Sequence, residues 1–343
     1  MLQVQQREAV ILNILISKHV NTGEPVGSRA IARSGLGLSS ATVRNSMADL
    51  EERGLLTHPH TSAGRVPTDK GYRYYVDKVM PRQTIEEEER EKIRERVRAY
   101  VREGDIEALL EQMSRLIADL SMNLGMVLSP RFERGVFDRL EMVHLSEGRL
   151  LLVLAIKSGL VKTMVMEVDS AITPGELDET SRAVNERLSG LSVAEIRDSV
   201  AERLREVSSG SPRLLRVLCD SALNLFRFQN GMDLHFGGAG NFIMQPEFNR
   251  KKNDLAALME LLEAREPMIT ILDERTEHEG ISVTIGAENG PPQLQGCSVL
   301  TSRYRVGAIS GVIGLIGPTR IPYARLIPLT RYMATLAEEM LEH

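Results

Sequence analysis

The sequence predicts an α+β fold of several domains, and three observations carry that prediction. The chain has 343 residues, enough for two or three domains. Its 42% hydrophobic and 26% charged content is ordinary for globular protein, so each domain can bury a core of its own. Its periodicity runs from helices to strands near 137–168, back to helices, then to strands and a closing helix. That order describes an α+β body interrupted by an insertion near 170–250.

The first helix is expected over Val4 to Val20. Ala9, Leu12, Ile16 and Val20 supply helical spacing, and Ile11 and Leu15 widen the stripe. Thr22-Gly23-Glu24-Pro25 ends it. A short helix follows from Ser28, its expected cap, to Arg33, with Ile31 and Ala32 inward. A glycine-containing turn, Ser34-Gly35-Leu36-Gly37-Leu38, leads to a helix that starts at Ser39 or Ser40 and stops at Gly54. Leu55-Leu56-Thr57 and Arg65-Val66-Pro67 form two short strands around a polar tip, His58 to Gly64. Thr68 caps the next helix, which carries Tyr72, Tyr74, Tyr75 and Val76. Helix, tight turn, helix and wing are how many proteins place a helix in the DNA major groove.

The helix after the turn bears the argument. With Val43 at zero and about 100° per residue, Met47 and Leu50 fall within about 40° of it. Ala41, Asn45, Ala48 and Glu52 lie nearly opposite, flanked by Arg44 and Asp49. Arg pairs bidentately with guanine and Asn with adenine. Ser39, Ser40 and Thr42 offer donors suited to phosphate oxygens near the helix N-terminus. Arg65 is the candidate to reach a phosphate or the minor groove, with Thr61 and Ser62 assisting, and Ser28 and Arg29 complete the candidate contact set. Glu51, Glu52 and Arg53 fall at the far end, away from DNA. The plainer alternative is a structural helical hairpin with a solvated Arg44 and Asn45. His58 and His60 lack a nearby third ligand, so no metal site is expected.

Charge agrees with this reading. Residues 1–80 hold ten Lys/Arg and seven Asp/Glu, a balance of +3, which leaves −8 for the remainder of a chain whose net charge is −5. A basic head on an acidic body fits a DNA-binding module joined to another kind of domain.

Beyond the head, Glu86 to Glu103 is charge-dense and reads as an exposed connector helix with Ile93, Val97 and Tyr100/Val101 on one stripe. Asp105 caps a helix carrying Leu109, Met113, Leu116, Leu120 and Leu124. Strands are expected over Phe137 to Leu145, Leu150 to Lys157 and Val161 to Val168, then helices over Pro174 to Leu188, Val193 to Val207 and Leu214 to Phe228. The glycine-rich run Leu234 to Asn241 lacks a following Gly-Lys-Ser/Thr, so it reads as a flexible turn between short strands and not as a phosphate loop. A helix over Leu255 to Leu262, strands at Met268 to Leu272, Ile281 to Ile285, Cys297 to Arg305 and Gly307 to Gly317, and a last helix from Pro322 to Leu341 complete the chain.

Several function classes drop out. No run of roughly 18 apolar residues exists, so no membrane span is expected, and the N-terminus does not read as a signal peptide. Cys219 and Cys297 sit in apolar surroundings, as reduced thiols of a cytoplasmic protein do. No Ser/His/Asp set or metal spacing stands out. Asp273, Glu274, Glu277, His278 and Glu279 cluster in one loop, which reads as a solvated acidic loop, with an acid–base site or a metal site as the alternatives.

The head resembles the HrcA family, the heat-inducible transcription repressors. The matching residues are Arg7, Thr22 to Ser28, Leu38 to Asn45, Met47 to Glu51, Gly54 to Leu56, His60 to Thr68 and Gly71 to Asp77. The likeness continues at Ile281 to Gly286 and Gly311 to Arg320. It implies a GAF-like body carrying an inserted dimerisation domain: a winged helix-turn-helix at 1–80, a connector at 81–104, the body at 105–169 and 250–343, and the insertion at 170–249. It also implies a non-enzymatic homodimer, without cofactor or membrane, on double-stranded DNA with a CIRCE-type inverted repeat. A GroEL-type chaperonin would keep it active, and heat would relieve repression of chaperone genes. The alternative is a winged-helix regulator whose GAF-like body binds a small effector.

Overall fold

The structure, a computed structural model, describes residues 6–60, 63–100, 106–146, 148–157, 159, 161–168, 172–205, 207, 209–226, 234–250, 252–275 and 279–341. It is mixed helix and sheet, divided into two compact units. The first comprises 1–128, 234–303 and 312–337; the second comprises 129–233, 304–311 and 338–343.

The first unit opens with the head. Helix α1 spans Gln6–Thr22 and buries Ile11, Leu12, Leu15 and Ile16, together with Glu8. Helix α2 is Ser28–Ala32 and α3 is Ser40–Glu52. The turn between them runs through Gly35 at φ 80° and Gly37 at φ 65°, a left-handed backbone that other residues adopt only under strain. Strands β1 (Leu56–Thr57) and β2 (Val66–Pro67) pair antiparallel, and α4 (Asp69–Tyr74) continues into a π turn at Tyr75–Val79. Thr68 caps α4 as expected, accepting the Gly71 N–H at 3.0 Å. Ser28 does not cap α2: Gly27 holds the cap position and Ser28 is the first helical residue.

Helix α5 spans Glu87–Tyr100, α6 spans Ile106–Ser121, and strand β3 is Leu124–Leu128. The connector helix keeps its charged faces exposed and buries Ile93 and Val97 of its predicted stripe, and the Arg90 carbonyl accepts the Tyr332 hydroxyl at 2.9 Å. One expectation fails. The helix expected to run to Leu124 stops at Ser121. Met122 turns the chain at φ 55°, and Leu124 begins a fully buried strand.

The second unit is a three-stranded antiparallel sheet with three helices. Its strands are β4 (Phe137–Ser146), β5 (Arg149–Ile156) and β6 (Val161–Glu167), in that order. Its helices are α7 (Pro174–Leu188), α8 (Val193–Arg205) and α9 (Pro212–Leu225). A capping box between Thr173 and Glu176 starts α7. The Asn185 side chain of α7 bonds both backbone groups of Leu140, at 2.8 and 3.1 Å, which occupies polar groups of edge strand β4. The strands over 137–168 therefore share a unit with these helices, whereas the sequence reading placed them in the body and began the insertion at 170.

The chain returns to the first unit at β7 (Leu234–Gly237). Helices α10 (Ala239–Ile243), α11 (Pro246–Arg250), α12 (Lys252–Ala264) and α13 (Glu266–Glu274) follow, then β8 (Ile281–Ile285), β9 (Cys297–Val306), β10 (Ile309–Pro318) and α14 (Tyr323–Leu341). The sheet order is β7-β3-β10-β9-β8. The run 234–241 is not a flexible turn. Gly125 and Gly237 are cross-strand partners, and a Cβ on either would strike the Ser114 carbonyl oxygen of α6, at 2.1 and 2.5 Å. Two missing side chains thus let α6 lie directly on the sheet. Met268 to Leu272 is helix, not strand: Pro267 starts α13, and Met268, Ile269 and Leu272 share its buried face. Both cysteines are free, and burial pushes the Cys297 thiol up to about 12. Among the described residues, no helix is long and apolar enough to cross a membrane.

Within this unit two arginines seat the head on the body. Arg73 of α4 donates to both carboxylate oxygens of Glu288, at 2.9 and 2.6 Å, and to the Val283 carbonyl at 2.5 Å. Arg320 donates to the Val20 carbonyl of α1 at 2.6 Å and pairs with Glu247. The Tyr72 and Tyr323 rings meet beside them, with centroids 5.7 Å apart. The bond from Arg73, outweighing desolvation, holds the Glu288 carboxyl below the usual carboxylate range.

Arg73→Ala is expected to cost about 1–2 kcal/mol in urea unfolding, because the ion pair is partly exposed and only the carbonyl bond is sheltered. A depressed carboxyl contributes stability above its unfolded pKa and loses it as pH falls through the folded value. The stability gap between wild type and Glu288→Gln should therefore close in the acid range below the ordinary glutamate pKa. A gap that stays constant through that range would contradict the assignment.

Candidate nucleic-acid interface

Helix α3 begins where its sequence can satisfy its own N-terminus. Ser39 takes the cap position with extended backbone, and its Oγ accepts the Thr42 N–H at 3.0 Å and meets the Thr42 hydroxyl at 2.9 Å. Ser40 and Ser28 join their hydroxyls at 3.0 Å, which ties α3 to α2 across the turn. These four side chains, all predicted DNA contacts, are first of all parts of the helix start. Ser39 remains exposed.

The two faces of α3 are as the helical spacing requires. Val43, Met47 and Leu50 are buried, with Ser46 beside them. Ala41, Arg44, Asn45, Ala48 and Asp49 are exposed, as is Arg29 on α2. Among the described residues, no side-chain bond engages Arg29, Arg44 or Asn45. The outer face is thus a small residue, a guanidinium and a carboxamide, all open to solvent near the positive end of the helix dipole.

The far end of α3 is held from two sides. Gly54 takes φ 72° after the last turn, and Arg53 donates to the buried Glu8 carboxylate of α1 at 3.0 Å. Glu51 meets the wing: it accepts from Arg65 Nε at 2.7 Å and contacts His58 Nδ1 at 2.5 Å. Burial works against the Glu51 carboxylate, but the bonds from His58 and Arg65 outweigh that and hold its pKa below the usual range. Arg65 is also fixed through its backbone, which exchanges two 2.9 Å bonds with Val26 and extends the wing by one bridge.

This arrangement revises the expected roles. Arg65 is expected to reach a phosphate or the minor groove; in the structure its Nε bonds Glu51 at the base of the wing. Glu51 and His58 were expected to be a distant acid and a polar tip; both belong to that wing base. Glu8 is an acid inside an apolar stripe, the one sequence signal that pointed to a buried partner, yet nothing in the spacing named Arg53. Thr61 and Ser62 lie outside the described residues, as do Glu277 and His278 of the acidic loop. Asp273 and Glu274 end α13.

Comparisons with known proteins fit this geometry. The family model of the HrcA protein C terminal domain matches residues 107–327. A heat-inducible transcription repressor HrcA from Geobacter sulfurreducens is 40% identical over 350 residues, spanning 100% of this chain and 99% of that protein. Another from Prosthecochloris aestuarii is 41% identical over 340 residues, spanning 96% and 95%. A crystal structure at 2.2 Å resolution, described as that of a hypothetical protein, shares 24% identity and a TM-score of 0.66 across 99% of both chains, which shows a common fold.

One prediction concerns the helix itself. Ser46 is 1% exposed and, among the described residues, its hydroxyl has no hydrogen-bond partner. Ser46→Ala should raise unfolding stability by about 0.5–1.5 kcal/mol, by removing an unsatisfied buried group and improving helix propensity. A loss of stability in chemical denaturation would mean that this hydroxyl is satisfied after all.

Proposed function

The chain belongs to the HrcA family, whose curated members are heat-inducible transcription repressors, and from that premise we propose how it reaches its operator. It is a negative regulator of heat-shock gene transcription. In the proposed mode, α3 enters the major groove of an inverted repeat of the CIRCE type. Arg44 and Asn45 read base edges, while Arg29 and the exposed start of α3 lie along the phosphates. The observation that carries this reading is the unpartnered outer face of α3. Ser39, Ser40, Thr42, Glu51 and Arg53 at its two ends are bonded inside the head, whereas among the described residues Arg44 and Asn45 have no side-chain partner.

An inverted repeat calls for two heads related by a two-fold axis. The second unit supports a homodimer. On one face of its sheet Val143, Leu151 and Val165 stand in cross-strand register, and Val143 is 44% and Val165 54% exposed. Val161, 50% exposed, extends this apolar strip. Such a strip is poorly suited to water and well suited to its own copy. The protein would act in the cytoplasm, with a GroEL-type chaperonin maintaining its active population. Diversion of the chaperonin by unfolded clients would then relieve repression, as a marginally stable fold allows.

A footprint on the protein's own upstream DNA, with and without chaperonin, tests the whole scheme. Arg44→Ala should weaken operator binding by about 1–3 kcal/mol and relax specificity, with little change on random DNA. Equal losses on both would reduce Arg44 to a phosphate contact. Val165→Lys should shift the protein to monomer in sedimentation and lower operator affinity at least ten-fold, as expected when two linked half-sites become one. A dimer that survives the change would place the two-fold contact elsewhere.

A further inference from the structure

The wing is too small to hold its own position. Its paired strands are two residues each, Leu56–Thr57 with Val66–Pro67, far below the length at which a hairpin is stable in water. Thr68 closes their base through the Leu55 and Gly54 carbonyls, and two further attachments involve Arg65. One is the backbone bridge between Arg65 and Val26. The other is Glu51, on the last turn of α3, whose oxygens divide between the two sides of the wing: Oε1 to His58, just after β1, and Oε2 to Arg65, just before β2.

A carboxylate beside a DNA-reading helix ordinarily opposes binding, because it faces the phosphates. Here it is flanked by a guanidinium and an imidazole, and its side chain is 25% exposed against 26% for Arg65 and 40% for His58. We propose that Glu51 is a positioning residue: it locks the wing to the recognition helix so that both meet DNA as one body. Arg65 is the internal counter-ion of that lock and acts through Glu51, not as an independent phosphate ligand. This inference rests on the DNA-binding reading for its consequence, but the lock itself is a property of the free protein.

The two roles predict opposite signs. If Glu51 is a bystander, Glu51→Ala removes a negative charge near DNA and strengthens binding to operator and random DNA alike. If it positions the wing, operator affinity falls roughly ten-fold, about the equivalent of 1.4 kcal/mol, while random-DNA affinity holds or rises. Hydroxyl-radical protection at the wing's edge of each half-site should fade, with guanine N7 protection under α3 retained. Glu51→Gln, which can still accept from Arg65, should recover part of the loss.

A double-mutant cycle with Arg65→Ala separates the mechanisms. Losses that fail to add support the lock. Fully additive losses, or unchanged wing protection in Glu51→Ala, overturn it. Amide exchange of residues 55–57 and 65–67 in the DNA-free protein supplies a readout that needs no operator. Faster exchange there in Glu51→Ala supports the lock, and unchanged exchange overturns it. Absence of operator preference in the wild type would count against the DNA-binding reading alone.

Discussion

The head keeps its place within the first unit through two guanidinium groups. Arg73 reaches from α4 to Glu288 and the Val283 carbonyl, and Arg320 reaches from the end of β10 to the last turn of α1 and to Glu247. Arginine suits this task because its planar fork serves several acceptors at fixed angles. The contacts continue inward. Glu288 also accepts the Ile285 N–H, and Asn289 donates to the carbonyls of Gly286, Leu294 and Cys297. A polar chain therefore runs from the head into the edge of the five-stranded sheet. Beneath it the Tyr72 hydroxyl is buried without a partner among the described residues, which subtracts from the stability of the seat. A seat made of directional bonds, with one unsatisfied group inside it, specifies an orientation more than it adds free energy.

The same division of labour operates within the head. Ser39 and Thr42 complete the start of α3, Ser28 and Ser40 join it to α2, and Glu8 receives Arg53 at its end. With those tasks covered, Arg44 and Asn45 need no internal partner. These pairs leave the head's formal excess of three positive charges unchanged, because Arg53 is spent on Glu8 and Arg65 on Glu51. What they change is where charge stands exposed: Arg29 and Arg44 stay open to solvent, while Glu8 is buried and Glu51 is partly covered. Counting residues averages over burial and pairing, whereas a phosphate backbone responds only to the charge that faces it.

What the sequence made legible was local. The helix-turn-helix, the wing, the Thr68 cap, the three strands over 137–168 and helix α7 are each announced by a cap, a glycine or a period within a few residues. What it hid was set by distant partners. Leu124 continues the helical spacing of α6, so only the backbone turn at Met122 shows that a strand has begun. Met268 to Leu272 carries two isoleucines and a threonine, a strand-like composition, yet the five-stranded sheet buries it as a helix through residues 268, 269 and 272. Gly237 looks like a turn residue until Gly125 is found opposite it with α6 pressed against both. The charged stretch of α5 shows its apolar stripe, but not that its Arg90 carbonyl accepts from Tyr332.

The candidate site divides along the same line. Which residues of α3 face outward follows from 3.6 residues per turn, so Arg44 and Asn45 were legible. Which polar side chains are already occupied does not follow from any period. His58 and Arg65 stand seven and fourteen residues beyond Glu51, and they meet it only because the wing folds back in one register. An outward-facing arginine and an arginine spent on a neighbour look alike in a sequence. Periodicity therefore identifies the outward face of a helix, but only the folded wing tells which nearby cations are already spent on an internal partner.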